Sequence, residues 1–183
     1  MQHNEKELIE RITQGETELF AHIADHYAPM IYALVVRIVG LREDAEELTQ
    51  DIFLQAFEHL ESFNFKSSFS TWLYRIAYNR AMTFSRRKRH AFYSVDENRL
   101  RAVSDNDMEQ MEAEAENEQQ IDSLMRAIDL LESEERALIT LFYYEGRSVA
   151  ECADIMSQSE SNIKVRLHRI RKKLYIIIND ETK

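Results

Sequence analysis

Three phenylalanines, Phe63, Phe65 and Phe69, stand close together in a polar segment that leads into a basic stretch. Between positions 63 and 90 the chain carries seven lysines and arginines and no acid. Aromatic rings stack on unpaired bases and cations bind phosphates, so this combination is typical of proteins that hold single-stranded nucleic acid. The same rings would serve equally well as the core of a small domain, and the pattern leaves both interpretations open.

A second acid-free block, residues 163–178, carries six lysines and arginines and belongs to a helix-turn-helix pattern. A short helix, a three-residue turn and a longer amphipathic helix have that motif's spacing. In the longer helix, a helical repeat of aliphatic residues predicts an inward seam of Ile163, Leu167, Ile170 and Leu174. The outward-facing residues are then Ser161, Asn162, Lys164, Val165, Arg166, Arg169 and Lys173. Small polar residues ahead of basic ones suit a recognition helix that reads base edges and binds phosphates.

A leucine among carboxylates is the third feature of interest. The segment 43–60 is predicted to be a helix with one continuous apolar side. On the opposite side, Leu54 has Glu47, Asp51 and Glu58 as neighbours. A single exposed leucine usually carries no function, so this observation alone assigns none.

Catalytic and metal-binding patterns are missing from the sequence. The six histidines fall on no metal-ligand spacing, and neither a nucleophile motif nor a glycine-rich phosphate loop is present. Cys152 is the only cysteine, which excludes an internal disulfide and a cysteine-pair zinc site. We therefore expect no enzyme activity, no metal and no cofactor.

The elements that carry these residues are predicted to be helices. The chain of 183 residues has three glycines and one proline, too few for the turns of a sandwich or barrel. Apolar spacing is helical almost throughout. We expect an all-α fold of two small helical domains, residues 1–90 and 121–183, joined by an acidic flexible linker over residues 91–120.

Local signals predict where several helices begin and end. Gly40 stands where a C-cap would fall, and Ser70 is placed to cap the basic helix. Ser148 with Glu151 spells a capping box, and Ser159 is placed to cap the last helix. In the basic helix the predicted buried side is Trp72, Leu73, Ile76, Ala77 and Phe84, and the predicted exposed side is Arg75, Asn79, Met82 and Arg86. The C-terminal helices are expected over 121–131, 134–145, 149–156 and 160–178.

Net charge and hydropathy limit the location and partners of the protein. The formal net charge of −10 argues against a simple basic nucleic-acid binder, although the charge is segregated into blocks. No apolar run approaches the roughly 18 residues of a membrane span, and the first ten residues are too polar for a signal peptide. We expect a cytoplasmic protein with no membrane span.

Three stretches stand in a characteristic order along the chain. They are residues 44–57 (DAEELTQDIF with Ala56 and Phe57), residues 69–79 (FSTWLYRIA with Asn79) and residues 151–174. Together they resemble the bacterial sigma-70 family, in its extracytoplasmic-function (ECF) group of alternative sigma factors. The resemblance covers about 19–89 and 121–174. It departs from the family's common pattern at Thr83, Cys152, Ser157 and Gln158.

The resemblance implies a protein that binds RNA polymerase core and directs promoter-specific initiation of transcription. It implies that the helix over 46–59 docks on the clamp helices of the polymerase's largest subunit, which gives an exposed Leu54 a purpose. The residues so implied in core binding are Glu46, Glu47, Leu48, Gln50, Asp51, Leu54, Gln55 and Glu58. An anti-sigma factor is a further implied partner.

Two contacts with promoter DNA are also implied by the resemblance. The loop at 63–68 and the basic helix would melt the minus-ten element and trap an unstacked base, which requires apolar surface and hydrogen bonds. The implied residues are Phe63, Asn64, Phe65, Lys66, Trp72, Arg75, Asn79, Arg86 and Arg87. The last helix would enter the major groove of the minus-thirty-five element through Ser159, Ser161, Asn162, Lys164, Val165, Arg166, Arg169 and Lys173.

Two other classes of protein stay open at this point. An autonomous helix-turn-helix regulator would bind a palindrome as a dimer without polymerase, with residues 1–90 as its sensor domain. A helical protein-interaction adaptor would use neither basic block on DNA, and neutralising Arg166 and Arg169 would leave its activity unchanged.

Overall fold

The computed structural model describes residues 2–87, 92–108 and 118–181, and within these ranges every regular element is a helix. The prediction of an all-α fold is confirmed. The described chain divides into two compact units, one built on residues 2–87 and the other on most of the remainder. Lys88 and Arg89 of the first basic block lie outside the described residues. The predicted bounds of the domains and linker stay a prediction.

The first unit is a helical bundle. Its helices are α1 (Gln2–Thr13), α2 (Phe20–Val39), α3 (Arg42–Glu58) and α4 (Phe69–Arg87), with single 3-10 turns at Thr17–Leu19 and Leu60–Ser62. Helices α2, α3 and α4 pack pairwise against one another. Their fully buried residues include Ile31, Leu34, Ile38, Ile52, Leu73 and Tyr74. Burial of these side chains is the main source of the unit's stability.

Helix α2 supplies the centre of this bundle. It ends at Gly40, whose φ of +81° is left-handed and whose N–H donates to the Val36 carbonyl at 2.8 Å, so the predicted C-cap is confirmed. Within the described ranges, Thr17–Val39 is the one helical stretch long and apolar enough to cross a membrane. Polar residues interrupt this stretch, so the sequence pattern did not predict it. Its buried residues pack in the bundle core, as in a core helix of a soluble protein.

Helix α1 is held on the bundle by apolar and polar contacts. Ile9 and Ile12 are almost fully buried. The Tyr27 hydroxyl donates a hydrogen bond to the Glu5 carboxylate. These contacts fix the helix beside the loop that follows the second 3-10 turn, where the Lys6 ammonium lies 5.4 Å from the centre of the Phe65 ring.

The second unit contains the helix-turn-helix. Its helices are α5 (Glu97–Ala102), α6 (Glu118–Asp129), α7 (Ser133–Ile139), α8 (Val149–Met156) and α9 (Glu160–Glu181). The predicted helix over 134–145 differs from the structure, since its second half, Thr140–Tyr144, is a π-helical turn. There the Glu145 N–H donates to the Thr140 carbonyl five residues earlier, at 2.9 Å. The fully buried side chains of this unit include Leu131, Leu138, Leu141 and Ile163.

Candidate nucleic-acid and protein interfaces

Helix α4 begins at Phe69, two residues earlier than a cap at Ser70 would allow. The prediction that Ser70 caps the helix is wrong, because Ser68 does so. The Ser68 hydroxyl oxygen accepts the Thr71 N–H at 3.1 Å, and its carbonyl accepts the Trp72 N–H at 3.1 Å. The earlier start places Phe69 in the first turn, where its ring is 2% exposed.

Two of the three loop phenylalanines belong to the core of the first unit. Phe63, Phe69 and Trp72 are each less than a tenth exposed. Their ring centres lie 5.4 to 5.5 Å apart, as in a packed aromatic cluster. The core interpretation therefore holds for Phe63 and Phe69. Phe63 and Trp72, implied as DNA contacts, are unavailable for base stacking while this cluster is intact.

Phe65 is the loop phenylalanine that faces solvent. Its side chain is 43% exposed, and its ring leans on Phe63 with the centres 4.7 Å apart. Its φ of +57° lies in the left-handed region, an uncommon and strained conformation for a bulky residue. Such strain is often retained at functional positions. A cavity of about 240 Å³ lies beside the ring, between the loop and α1.

The polar residues of this loop are also accessible. Asn64 and Lys66 are both exposed, and the Lys66 N–H donates to the Asn64 side-chain oxygen at 3.2 Å, which closes a tight turn. The loop thus presents one ring, one amide and one ammonium to solvent. These are the groups that hold an unstacked base by stacking, hydrogen bonding and charge.

The outer side of α4 carries the other residues implied for the minus-ten element. Asn79, Arg86 and Arg87 are exposed, and Arg75 is half-buried. The prediction that Met82 is exposed is wrong, since it is 7% exposed. Helix α4 packs against both α2 and α3, so it buries a wider arc than a one-sided amphipathic pattern indicates.

The acidic face of α3 is exposed as predicted, with two exceptions. Leu54 is 62% exposed, and Glu46, Glu47, Gln50, Gln55 and Glu58 are also accessible. Leu48, implied in core binding, is 5% exposed and belongs to the bundle core, so an outward role for it is wrong. Asp51 is half-buried and accepts a hydrogen bond from Arg80 at 2.9 Å. The result is a negatively charged surface with one apolar side chain.

The helix-turn-helix is held by the two predicted caps. The Ser148 N–H donates to the Glu151 carboxylate at 2.9 Å and the Ser148 hydroxyl oxygen accepts the Glu151 N–H at 3.2 Å, so the capping box is confirmed. The Ser159 hydroxyl oxygen accepts the Asn162 N–H at 3.2 Å at the start of α9. The inward seam of α9 is confirmed as well: Ile163, Leu167, Ile170 and Leu174 are each less than a tenth exposed.

The residues predicted to face outward on α9 divide into two groups. The first two turns, which carry Ser159, Ser161, Asn162, Lys164 and Val165, are exposed. Three basic residues instead engage acids of the same unit: Arg166 with Glu134 at 3.2 Å, Arg169 with Glu97 at 2.9 Å and Lys173 with Glu135 at 2.7 Å. The prediction that Lys173 faces outward is wrong, because it is 6% exposed.

Comparisons with known proteins agree in both units. The family models Sigma-70 region 2 and Sigma-70, region 4 match residues 23–91 and 121–174, which together are more than half of the chain. The ECF RNA polymerase sigma factor SigW of Bacillus subtilis is 29% identical over 180 residues, covering 92% of this chain and 94% of that protein. The ECF RNA polymerase sigma-E factor of Escherichia coli K12 is 30% identical over 171 residues, covering 90% and 89%. The chain belongs to the ECF group of the sigma-70 family.

The fold agrees with this assignment. The structure of CnrH in complex with the cytosolic domain of CnrY aligns with a TM-score of 0.66 and 20% identity, covering 94% of this chain and 96% of CnrH. The family models and the ECF sigma factor relatives together show that this protein is an alternative sigma factor. Sigma factors are transcription initiation factors and not enzymes.

Two of the residues that depart from the common sigma family pattern, Ser157 and Gln158, form the turn of the helix-turn-helix. Ser157 has a left-handed φ of +55°, and the next residue, Gln158, donates its N–H to the Ala153 carbonyl at 2.9 Å. A glycine adopts this conformation without steric cost. The serine in this sigma factor adopts it at a cost.

Replacing Ser157 by glycine is therefore expected to leave the fold unchanged and to raise the free energy of unfolding by up to about 1 kcal/mol. Ser157→Ala is the matched control and should leave the free energy of unfolding within about 0.5 kcal/mol of the parent, because alanine keeps the Cβ that disfavours a left-handed φ. Urea unfolding, monitored by circular dichroism, gives the free energy of unfolding of both variants. Equal midpoints for the glycine and alanine variants would show that the turn is not strained.

Cys152 lies in α8 and is fully buried. Burial raises the pKa of its thiol to about 11, and the neighbouring Glu151 carboxylate adds to the effect. The thiol of this sigma factor is thus protonated and unreactive at neutral pH. It therefore packs in the unit as a small apolar side chain.

The sequence did not predict the acidic residues that pair with the cations of α9. Glu134 and Glu135 lie 32 and 38 residues before their partners Arg166 and Lys173, and Glu97 lies in the stretch that was predicted to be a flexible linker. The only signal in the sequence was the presence of acids flanking a basic helix, which does not specify pairs. The approach of the Lys6 ammonium to the Phe65 ring was not predicted either, because the two residues lie far apart in the chain.

The Lys173–Glu135 pair supports the fold of the second unit rather than DNA binding. Its side chains are 8% and 20% exposed, and breaking a pair this buried leaves an uncompensated charge. We expect Lys173→Met to lower the free energy of unfolding by about 2–4 kcal/mol in urea titrations. Lys164→Met, on the exposed part of α9, should leave it within about 0.5 kcal/mol of the parent. Equal stability of the two variants would contradict the structural role of Lys173.

Proposed function

We propose that this sigma factor uses three separate surfaces to direct RNA polymerase to its promoters. The exposed face of α3 around Leu54 binds the clamp helices of the largest polymerase subunit. Phe65, its loop and the outer side of α4 hold the melted minus-ten element. The first two turns of α9 read the minus-thirty-five element in the major groove.

The observation that carries the proposal is the exposure of Phe65. An aromatic ring held in a strained, accessible loop, beside a cavity and ahead of a basic helix, suits an unstacked base better than it suits a core. Base extrusion costs a few kcal/mol, which stacking of about 1–3 kcal/mol and phosphate contacts from Arg86 and Arg87 offset. Strand opening would then follow from trapping of the non-template strand.

The exposed first turns of α9 support direct reading of duplex DNA. Ser161 and Asn162 offer hydrogen-bonding groups to base edges, and Val165 is an apolar residue suited to a thymine methyl group. Lys164 lies on the same accessible part of the helix and suits a phosphate. Buried seam residues hold this helix against the unit, so that its outer side projects as a rigid element.

The net charge of −10 favours dependence on polymerase. An acidic protein gains little from non-specific attraction to DNA, so promoter contacts become strong only when core polymerase adds its own affinity. We further propose that the protein acts in the cytoplasm and is held inactive by an anti-sigma factor. The solved structure of the sigma factor RpoE in complex with the anti-sigma factor NepR from Bartonella quintana, which aligns with this chain at a TM-score of 0.63, supports that partner.

Transcription from a promoter library tests the proposal directly. Core RNA polymerase is assayed with and without this protein, and start sites are mapped by sequencing the transcripts. We expect start sites that appear only when the protein is present and that share two upstream elements. Absence of such start sites, together with binding to a palindromic duplex without polymerase, would overturn the proposal in favour of an autonomous regulator.

A further inference from the structure

The described part of the acidic stretch, residues 92–108, packs on the C-terminal half of α9. Leu100, Val103 and Met108 form a small apolar cluster with Ile176, and each of the four is less than a tenth exposed. Arg99 donates to both carboxylate oxygens of Asp180, at 2.8 and 2.9 Å. The segment is thereby anchored on the helix that we propose as the reader of duplex DNA.

The anchored segment engages three cationic or titratable side chains of α9. Arg169 donates two hydrogen bonds to the two carboxylate oxygens of Glu97, at 3.2 and 2.9 Å. The Lys172 ammonium donates to the Val103 carbonyl at 2.6 Å. The His168 imidazole lies 3.5 Å from Asp105. The segment therefore offers oxygen acceptors along one part of the basic helix.

These acceptors resemble the groups that DNA would offer. An arginine binds a carboxylate and a phosphate through the same two-pronged geometry, so Glu97 occupies the donors that a phosphate would need. Arg169 is 53% exposed and Glu97 is 49% exposed, so the pair is accessible to a competing anion. An exposed pair of this kind is weak enough for phosphate to displace it.

We propose that residues 92–108 are a built-in competitor that lowers the affinity of α9 for DNA by binding Arg169 through Glu97 and Lys172 through the Val103 carbonyl. The inference rests on the proposed function, in which α9 binds duplex DNA. Competition removes phosphate contacts and leaves the base-reading turns at the start of α9 free to act. Because a phosphate contact carries no sequence information, its loss lowers the affinity for promoter and for random duplex by a similar factor.

Removal of the Glu97 charge tests the competition. Full-length Glu97→Gln protein is titrated against two fluorescent duplexes of equal length, one containing a promoter found in the library and one of random sequence. We expect about two- to fivefold tighter binding to both, the amount by which one exposed ion pair shifts an equilibrium. The salt dependence should steepen by about one unit in the slope of log K against log salt, since one more phosphate is contacted.

Asp122→Asn is the matched control, because Asp122 is an exposed acid of the same unit and the substitution removes the same charge. It should change affinity much less and leave the salt slope unaltered. If the two variants bind equally tightly and with equal slopes, the gain is a general charge effect and the inference is overturned. Thermal melts of both proteins establish that the unit remains folded.

The double variant Glu97→Gln/Arg169→Ala tests whether the gain in DNA affinity from Glu97→Gln depends on Arg169. If Glu97 acts by occupying Arg169, Glu97→Gln gives no gain once Arg169 is absent, so the double variant binds like Arg169→Ala. A full gain in that background would overturn the inference. Failure of the proposed function looks different: wild-type protein would then give no promoter-specific transcript with polymerase and no salt-dependent binding to either duplex, whichever residue stands at 97.

Discussion

Replacing Leu54 by aspartate is expected to weaken binding to RNA polymerase core by tenfold or more, with little change in stability. The leucine is 62% exposed in the free protein, and burying its side chain in an interface is worth about 1.5–3 kcal/mol. An aspartate at the centre of an interface would add the cost of burying an unpaired charge. Fluorescence anisotropy of labelled protein with core polymerase measures the affinity, and transcription from a library promoter measures the consequence.

Leu41→Asp is the matched control for this prediction. Leu41 is 52% exposed and precedes the first turn of the same helix, outside the proposed docking face. The aspartate at this N-cap position should hold or slightly raise the stability of α3. We expect wild-type affinity for polymerase. Equal losses in the two variants would mean that added negative charge, rather than the position of Leu54, is responsible.

Replacing Phe63 by alanine is expected to lower the stability of the protein, whereas replacing Phe65 by alanine is expected to impair promoter opening. Phe63 is 7% exposed in a ring cluster, so Phe63→Ala should lower the free energy of unfolding by about 3–4 kcal/mol. Phe65 is 43% exposed, so Phe65→Ala should change it by less than about 1 kcal/mol. The second variant should instead reduce promoter opening about tenfold, since one stacked base contributes roughly 1–3 kcal/mol.

Two measurements separate these effects. Urea unfolding reports the stability of each variant, and permanganate modification of unpaired thymines reports promoter opening with core polymerase bound. Phe65→Tyr keeps an aromatic face and should restore opening, which an effect of loop folding alone would not predict. Normal opening by Phe65→Ala would contradict the assignment of this ring to the single strand.

Local features of the fold could be predicted because their causes are local. The capping box at Ser148 and the C-cap at Gly40 depend on residues within four positions of each other, and both are confirmed. The inward seam of α9 was predictable because a repeat close to 3.6 residues places its members on one side of a helix. The exposure of Leu54 followed from the same argument applied to α3.

Errors arose where more than one neighbour packs on a helix. Met82 is buried because α4 contacts both α2 and α3, and a one-sided pattern underestimates the buried arc. Leu48 lies on the apolar side that the periodicity of α3 predicts, and only the family resemblance implied it in core binding. Trp72 was expected both in the core and on DNA, and its packing against Phe63 and Phe69 places it in the core. Such burial depends on where other helices lie, which periodicity does not encode.

The sequence by itself determined the all-α class, the two basic blocks, the helix-turn-helix and the sigma-70 resemblance, because each depends on residue types at short, regular spacing. Only the tertiary structure decided which aromatic ring is exposed to solvent and which cations already have an acidic partner. Phe65 is exposed while Phe63 is buried, and Lys173 and Arg169 have acidic partners about forty and seventy residues away in the chain. Chain folding brings these distant charges together, and no local pattern specifies which pairs form.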